Sequence, residues 1–420
     1  MRALVRLFRF VFVQNRSLTA ISILFVVSLV VAFSSGFWLM SRLANVLLLA
    51  IPLAYVWARL NLRGLEVTVE RPVDRLQEGG YLETRITLVN RGWFTKLWLE
   101  VDDPSDLPGH TVERVMSLGP RAKRTTRVVS RCTRRGLYTV GPVTVTTGDL
   151  FGLFRLSRSF GEPQQVLVYP RAVELPNFWV PPAHLPGEGR FRRPTHYLTP
   201  NAAGVREYQP GDGLSRIHWP TTARTGELMV KLFELDPASD IWVVLDLHRD
   251  VQAGAGDEGT EEHAVRIVAS VARFFLLANR NVGFLAYGRQ LHAEEPGRGI
   301  SQYTRILEAL ALARARGDVS LADLLNHESR RFGRHTTVVV VTPSTDDGWV
   351  VSLQMLAGRG VKLAAVLLEP GTFGGDGNAL LVFGALAAAD IFSYLVKQTD
   401  DLTSTLGAGA EPALSRGGGP

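Results

Sequence analysis

Four oxygen-bearing side chains are spaced for work on a divalent cation. Asp246 ends the apolar run IWVVLD, Asp250 follows in DLHRD, Thr304 stands before a later helical pattern, and Asp346 trails TTVVVVTPST. In an open parallel sheet, ligands settle in the crevice beyond the carboxyl ends of the strands. The four positions are therefore predicted to converge on one edge. Carboxylate and hydroxyl oxygens are the hard donors that Mg²⁺ takes in octahedral geometry. His248 lies inside the same loop, and an imidazole is a poor Mg²⁺ ligand. The balance predicts no resident cofactor, with Mg²⁺ as the one cation this edge would suit.

Other catalytic patterns are missing from the sequence. There is no G-x-S-x-G, H-E-x-x-H or Walker A stretch. Gly254 to Gly259 spells G-x-G-x-x-G, but the glycines come well after the strand end, and Asp257 with Glu258 would repel a pyrophosphate. The single cysteine, Cys132, rules out an internal disulfide and any zinc site built from several thiolates. His263 and His327 lie on helical patterns among charged neighbours and read as surface histidines. No enzyme is predicted; the runner-up is a Mg²⁺-assisted hydrolase using Asp246, Asp250 and Asp346.

The elements that must hold this edge alternate. IWVVLDL, VGFLAYG, TTVVVVT and VKLAAVLLEP are apolar strands, separated by EEHAVRIVASVARFFLLANR, YTRILEALALARA and GWVVSLQMLAGRG. Apolar strands between amphipathic helices predict a mostly parallel, doubly wound α/β sheet covered on both faces, within 204–406. ALLVFGALAAADI and FSYLVK complete it, and 407–420 has no packable pattern, so it reads as a disordered tail.

Upstream, 65–170 shows period two with frequent turns, as in LETRITLVN, RTTRVVS and PVTVTTGDLFG, which fits a β-sandwich of immunoglobulin-like size. Arg131, Arg134 and Arg135 cluster there and read as solvated charges on a strand edge; a lipid or polysaccharide contact is the alternative. Residues 171–203 are rich in Pro and Arg and read as an extended connector.

The first 62 residues read as a membrane anchor. Apolar runs at about 18–34 and 37–57 are separated by a very short link, which forces an antiparallel helical hairpin. Arg2, Arg6, Arg9 and Arg16 precede it and Arg59 and Arg63 follow, against Arg42 near the turn. The positive-inside rule then puts both termini in the cytoplasm. Ala32-Phe33-Ser34 loosely resembles a signal cleavage site, yet the second run would remain as an anchor.

The formal net charge of +6 comes from arginine interspersed with acids, which is not the footprint of a nucleic-acid binder. One stretch concentrates both signs: VREYQPGDGLSRIHWPTTARTGELMVK. Pro210-Gly211 marks a turn, Asp212 is placed to cap a short helical turn, and Trp219-Pro220 would end it. Arg206, Glu207, Asp212, Arg216, Arg224, Glu227 and Lys231 can pair internally, so the segment reads as a clasp against the α/β unit. His218 with Asp212 or Glu207 is the weaker, acid/base reading.

This stretch resembles the signature of the bacterial domain-of-unknown-function 58 family, as do RRGLYTVGPVTVTTGDLFGLFR and VLVYP. The family's core maps onto Arg206, Tyr208, Gly211, Asp212, Arg216, Trp219, Ala223, Arg224, Gly226, Glu227 and Lys231; Pro220 departs where a Lys is common. The loop at Asp246 likewise resembles the D-x-S-x-S metal loop of von Willebrand factor A domains, with His248 and Asp250 where serines belong. The resemblance implies a von Willebrand factor A-like domain with a degraded metal loop, on a membrane-anchored interaction protein. Its implied partner is a MoxR-type AAA+ ATPase, in chaperone-like assembly or cell-envelope processes.

Overall fold

A computed structural model describes residues 16–181, 202–208, 217–233 and 240–407. The chain divides into two compact units, 1–171 and 172–420.

The first unit opens with α1 (Arg16–Ser35) and α2 (Trp38–Leu62), both long and apolar enough to cross a membrane. Gly36 turns the chain between them at φ +63°, a conformation that costs glycine little. Phe33, Leu49 and Leu53 point away from protein, as expected of helices whose outer surface meets lipid rather than water.

Ten strands follow: β1 (Leu65–Glu70), β2 (Arg75–Gln77), β3 (Tyr81–Asn90), β4 (Lys96–Asp102), β5 (Glu113–Leu118), β6 (Lys123–Arg131), β7 (Gly136–Val140), β8 (Val143–Gly148), β9 (Arg155–Phe160) and β10 (Gln164–Tyr169). They form sheets ordered β1-β3-β6, β2-β10-β7 and β5-β4-β8-β9. Leu65, Ile86 and Leu88 from the first sheet share one core with Leu99, Val101, Leu118, Val143 and Val145 from the third. The alternating burial of β3 and β8 is the period-two pattern made physical. In the same unit, Arg71 grips Asp103 through Nη2 at 2.7 and 2.8 Å, and the His110 ring bridges Asp103 to Ser130.

Polar contacts tie the strands to the carboxyl end of α2. Lys96 is buried and its Nζ donates to the carbonyls of Leu60 and Arg63, the latter at 2.8 Å. Asn61 Nδ2 donates to the Leu97 carbonyl at 3.0 Å and to Thr147 Oγ1 at 3.1 Å. A cation at a helix carboxyl end satisfies carbonyls that have no intrahelical partner.

The second unit begins with β11 (Ala202–Glu207) paired antiparallel to β12 (Met229–Phe233), with α3 (Trp219–Thr225) between them. Then come β13 (Asp240–Leu245), α4 (Thr260–Leu277), β14 (Val282–Tyr287), β15 (Leu291–Gly297), α5 (Gly299–Leu312) and α6 (Leu321–His327). β16 (Thr336–Thr342), α7 (Gly348–Gly358), β17 (Lys362–Leu368), α8 (Leu380–Ala388), β18 (Phe392–Val396) and α9 (Leu402–Gly407) complete it. The sheet order is β15-β14-β13-β16-β17-β18, parallel except for the β15 edge. One face carries Trp242, Val244, Val338 and Val340 under α6, α7 and α8. α4 and α5 pack on the other, so β13 and β16 are buried on both sides, which is why they read as unbroken apolar runs.

Several expectations change. Trp219-Pro220 begins α3 instead of ending a helical turn, because Pro in the first helical turn gives up an N–H that has no intrahelical partner anyway. Within the expected connector, Val173 N–H donates to Ser270 Oγ at 2.9 Å and Phe178 stacks on Tyr394 at 5.3 Å. Its start is thus docked by buried Leu175 and Phe178, whose apolar area outweighs the local proline content. The stretches 182–201 and 408–420 lie outside the described residues, and Gly407 closes α9. His263 is buried against Phe373, not on the surface, and Arg135, expected among solvated charges, is fully buried.

Candidate functional site

The crest of the parallel sheet is built from three loops. The first follows β13, where the Asp246 amide still bonds the Val341 carbonyl at 3.0 Å and the side chain turns inward. The second runs through Gly317 to Ser320, which caps α6 by accepting the Asp323 amide. The third follows β16, where Ser344 N–H donates to Thr342 Oγ1 at 2.9 Å. Gly317 locks the first two together: its amide bonds the Leu247 carbonyl, and its own carbonyl takes the Arg249 amide. Only glycine fits, since a Cβ would stand 2.5 Å from the Tyr287 carbonyl oxygen.

These loops enclose a cavity of about 150 Å³ lined by Asp246, His248, Ser320, Ser344, Asp346 and Trp349, among others. Asp246 Oδ2 accepts the Thr342 hydroxyl at 2.6 Å and Oδ1 accepts the His248 amide at 3.0 Å. Burial pushes its carboxyl above the usual carboxylate range, against the pull of those two bonds. The Trp349 indole N–H is buried without an acceptor among the described atoms.

Of the four oxygens named from the sequence, Asp246 and Asp346 meet at this cavity. Asp250 does not line it: it is 69 % exposed beside His248 and Arg249 on the turn Arg249–Val251. Thr304 lies inside α5 rather than ahead of it, with its hydroxyl donating to the Ile300 carbonyl at 3.0 Å. Among the described residues no three His, Cys, Asp or Glu side chains group around a possible ion. With one carboxylate buried and already twice bonded and an imidazole in the wall, these donors do not fit a Mg²⁺ shell. Ser320 and Ser344 were missed. Ser320 directly before LADLLNH, with Asp323 three residues on, is a readable capping pattern, but its place at the crest depends on the sheet order.

In the signature stretch, Arg206, Glu207 and Lys231 occupy β11 and β12, with Glu207 opposite Met229 and Lys231 opposite Val205. Tyr208 is half-buried and its amide donates to the Leu228 carbonyl at 2.8 Å. Gly226 caps α3 at φ +78°. Trp219, Arg224 and Glu227 are exposed, and no ion pair joins Arg224 or Glu227 to another described residue. Gly211, Asp212 and Arg216 lie outside the described residues, and β11 and β12 pair with each other as a two-stranded sheet of their own. His218 Nδ1 is 2.7 Å from Thr221 Oγ1, an arrangement that steadies the start of α3.

Fold and crest together define a doubly wound α/β unit preceded by a β-rich unit and two apolar helices. Residues 204–371 match the family described as "Protein of unknown function DUF58". The chain is 24 % identical over 262 residues to "Uncharacterized protein YeaD" of Bacillus subtilis, which covers 60 % of this chain and 63 % of that one. It is 28 % identical over 174 residues to "Uncharacterized protein Rv1480" of Mycobacterium tuberculosis, covering 39 % and 54 %. The chain thus spans less than two thirds of these relatives' length. Among solved structures, the CARDB domain of a Pyrococcus furiosus protein matches at 18 % identity over 25 % of this chain and 94 % of its own, with a TM-score of 0.19. Proximal thread matrix protein 1 of the mussel byssus matches at 12 % over 41 % and 46 %, with a TM-score of 0.31. Neither likeness bears on function.

Proposed function

We propose that this chain is a membrane-anchored interaction protein whose α/β unit, of von Willebrand factor A-like type, docks a MoxR-type AAA+ ATPase on the cytoplasmic side and turns over no substrate of its own. The observation that carries the reading is an apolar face left open on two neighbouring helices. Val351 and Met355, one turn apart on α7, are exposed, as are Leu380 and Leu381 at the start of α8, with Leu381 82 % exposed. Their partners on the opposite face of the same helices, Val350, Leu353, Val382 and Leu386, fill the core, so the exposed set is surplus to folding. Large exposed apolar side chains on adjacent elements mark sites of protein association. The arginine bias around the helical hairpin supports cytoplasmic termini.

The test is affinity purification of the full chain from detergent extracts of cells that also contain a MoxR-type ATPase. The ATPase is expected with the native chain and lost from Met355→Asp combined with Leu381→Asp. Equal recovery with the variant, or no recovery with either, overturns the docking. Phosphatase or peptidase turnover by the purified chain that disappears in Asp346→Asn overturns the non-catalytic part.

A further inference from the structure

The β-rich unit does not stop where the two apolar helices leave the bilayer. Leu153 and Phe154, at the base of the β8–β9 hairpin, pack in one cluster with Leu18, Ala54 and Ala58, and with Ile21 and Ile51 beside them. The Phe154 ring meets Tyr55 edge-on at 5.4 Å. All of these helix residues except Ala58, which directly follows the second run, belong to the apolar runs themselves. At 1.5 Å per residue, Ile51 lies about 9 Å inside Trp57, which closes the second run. A helix needs about 20 apolar residues to cross the hydrocarbon core, so the run from Phe37 to Trp57 has little length to spare. The hairpin base therefore sits at the level of the acyl boundary.

The tip beyond that base is apolar and open. Leu150 is 71 % and Phe151 65 % exposed, and they point away from the protein that buries Leu153 and Phe154. The tip's backbone is already prepared for poor solvation. Asp149 Oδ2 accepts the Phe151 amide at 2.8 Å and Oδ1 the Phe154 amide at 2.6 Å, while the Gly152 amide bonds the Asp149 carbonyl at 3.3 Å. A loop that leaves bulk water must satisfy its N–H groups internally.

A second tip, between β3 and β4, sits at the rim. Phe94 meets Trp57 edge-on at 4.9 Å, and its neighbour Trp93 is 83 % exposed. Trp98 is also exposed, turned out by a bulge in β4 at φ +54°. A bulge re-aims a side chain, and tryptophan favours the membrane interface. Among the charged groups near the two tips, Arg155 is paired with Glu100 and Arg91 with Glu66 at 2.9 Å, while exposed Arg121 donates its amide to the Gly92 carbonyl at 3.1 Å.

We propose that these hairpin tips seat the β-rich unit on the lipid bilayer, with Leu150 and Phe151 entering the apolar side of the headgroup layer and Trp93 lying at its surface. The proposal rests on the membrane-anchor reading of α1 and α2 and adds to it a fixed posture of the first unit on the membrane.

Site-directed spin labelling of the full chain in liposomes of phosphatidylethanolamine and phosphatidylglycerol tests it. Cys132 is fully buried, so the unsubstituted chain serves as the blank. Labels go at Leu150→Cys, Phe151→Cys and Trp93→Cys, with Val115→Cys on β5 as an exposed control and Val26→Cys on α1 as a lipid control. Labels at 150 and 151 are expected to collide more with O₂ than with a water-soluble nickel chelate, as at 26, and the label at 115 to do the reverse. If 26 behaves as lipid-exposed but 150 and 151 behave like 115, the seating is overturned while the anchor stands. If 26 is aqueous, the anchor fails and the seating with it. Labels at 150 and 151 shielded from both reagents would mean protein covers the tip, which also overturns the proposal.

Discussion

The Thr342 hydroxyl donates a 2.6 Å hydrogen bond to Asp246 Oδ2, joining the ends of two neighbouring parallel strands beneath the crest cavity. Both side chains are buried, so the bond has no water to replace it.

Removing that donor by Thr342→Val should cost about 1–3 kcal/mol, the penalty of a buried acceptor stripped of its partner, and should push the Asp246 carboxyl higher still. Burial already raises it. A raised folded-state value means that the folded state holds the proton more tightly than the unfolded one. The Asp246 contribution is therefore fully present below the ordinary carboxylate range and lost as pH rises through the raised value. Urea unfolding across that window should show this dependence flattened in Asp246→Asn.

His263 should act in the opposite sense. Burial holds its imidazole below the usual histidine range, although Nδ1 lies 3.2 Å from the Gly259 carbonyl. Its contribution is present above the unfolded value of about 6.5 and lost as pH falls through the lowered folded value. His263→Gln should remove this acid-side loss, and a variant as acid-labile as the native chain would contradict the assignment.

The Arg71–Asp103 pair is predicted to be the most sensitive contact of the β-rich unit. Their side chains are 3 % and 0 % exposed. Burial works against the Asp103 carboxylate, but hydrogen bonds from His110 and Arg71 outweigh it and hold the group below its ordinary range. Asp103→Ala leaves Arg71 charged and unpaired in the interior, at about 3–5 kcal/mol. Thermal unfolding followed by near-ultraviolet circular dichroism should lose the first unit's transition first. In the native chain the pair's contribution is present above the unfolded carboxylate value and lost as pH falls through the depressed one.

Gly317→Ala should disturb the crest without touching any carboxylate. The added methyl meets three carbonyl oxygens, those of Tyr287, Gly288 and Leu247, at 2.5, 3.0 and 3.2 Å. Overpacking of this kind costs about 1–3 kcal/mol, and hydrogen exchange at the Arg249 and Gly317 amides should quicken while the amides of β17 stay protected.

Much of the fold was legible because its signals are local. The strands TTVVVVT and VKLAAVLL are buried on both faces, and such runs need no knowledge of their neighbours to be recognised. Period two in LETRITLVN and the two greasy runs are equally self-contained. The site was half legible: Asp246 and Asp346 were found because both end or follow apolar strands. Asp250 and Thr304 were misplaced, since spacing along the chain does not say which side of a turn faces the crevice. His263 shows the same limit, because charged sequence neighbours do not reveal that Phe373, far along the chain, covers the ring.

Residue pattern alone determined that this chain has two apolar helices, a β-rich unit and a mostly parallel α/β sheet, because periodicity and length are properties of a single segment. Only the tertiary structure decided that Ser320 and Ser344 join Asp246 at the crest and that Phe154 lies against Tyr55. Those meetings depend on strand order and on which face of each element is buried, and both are settled by packing between segments distant in sequence.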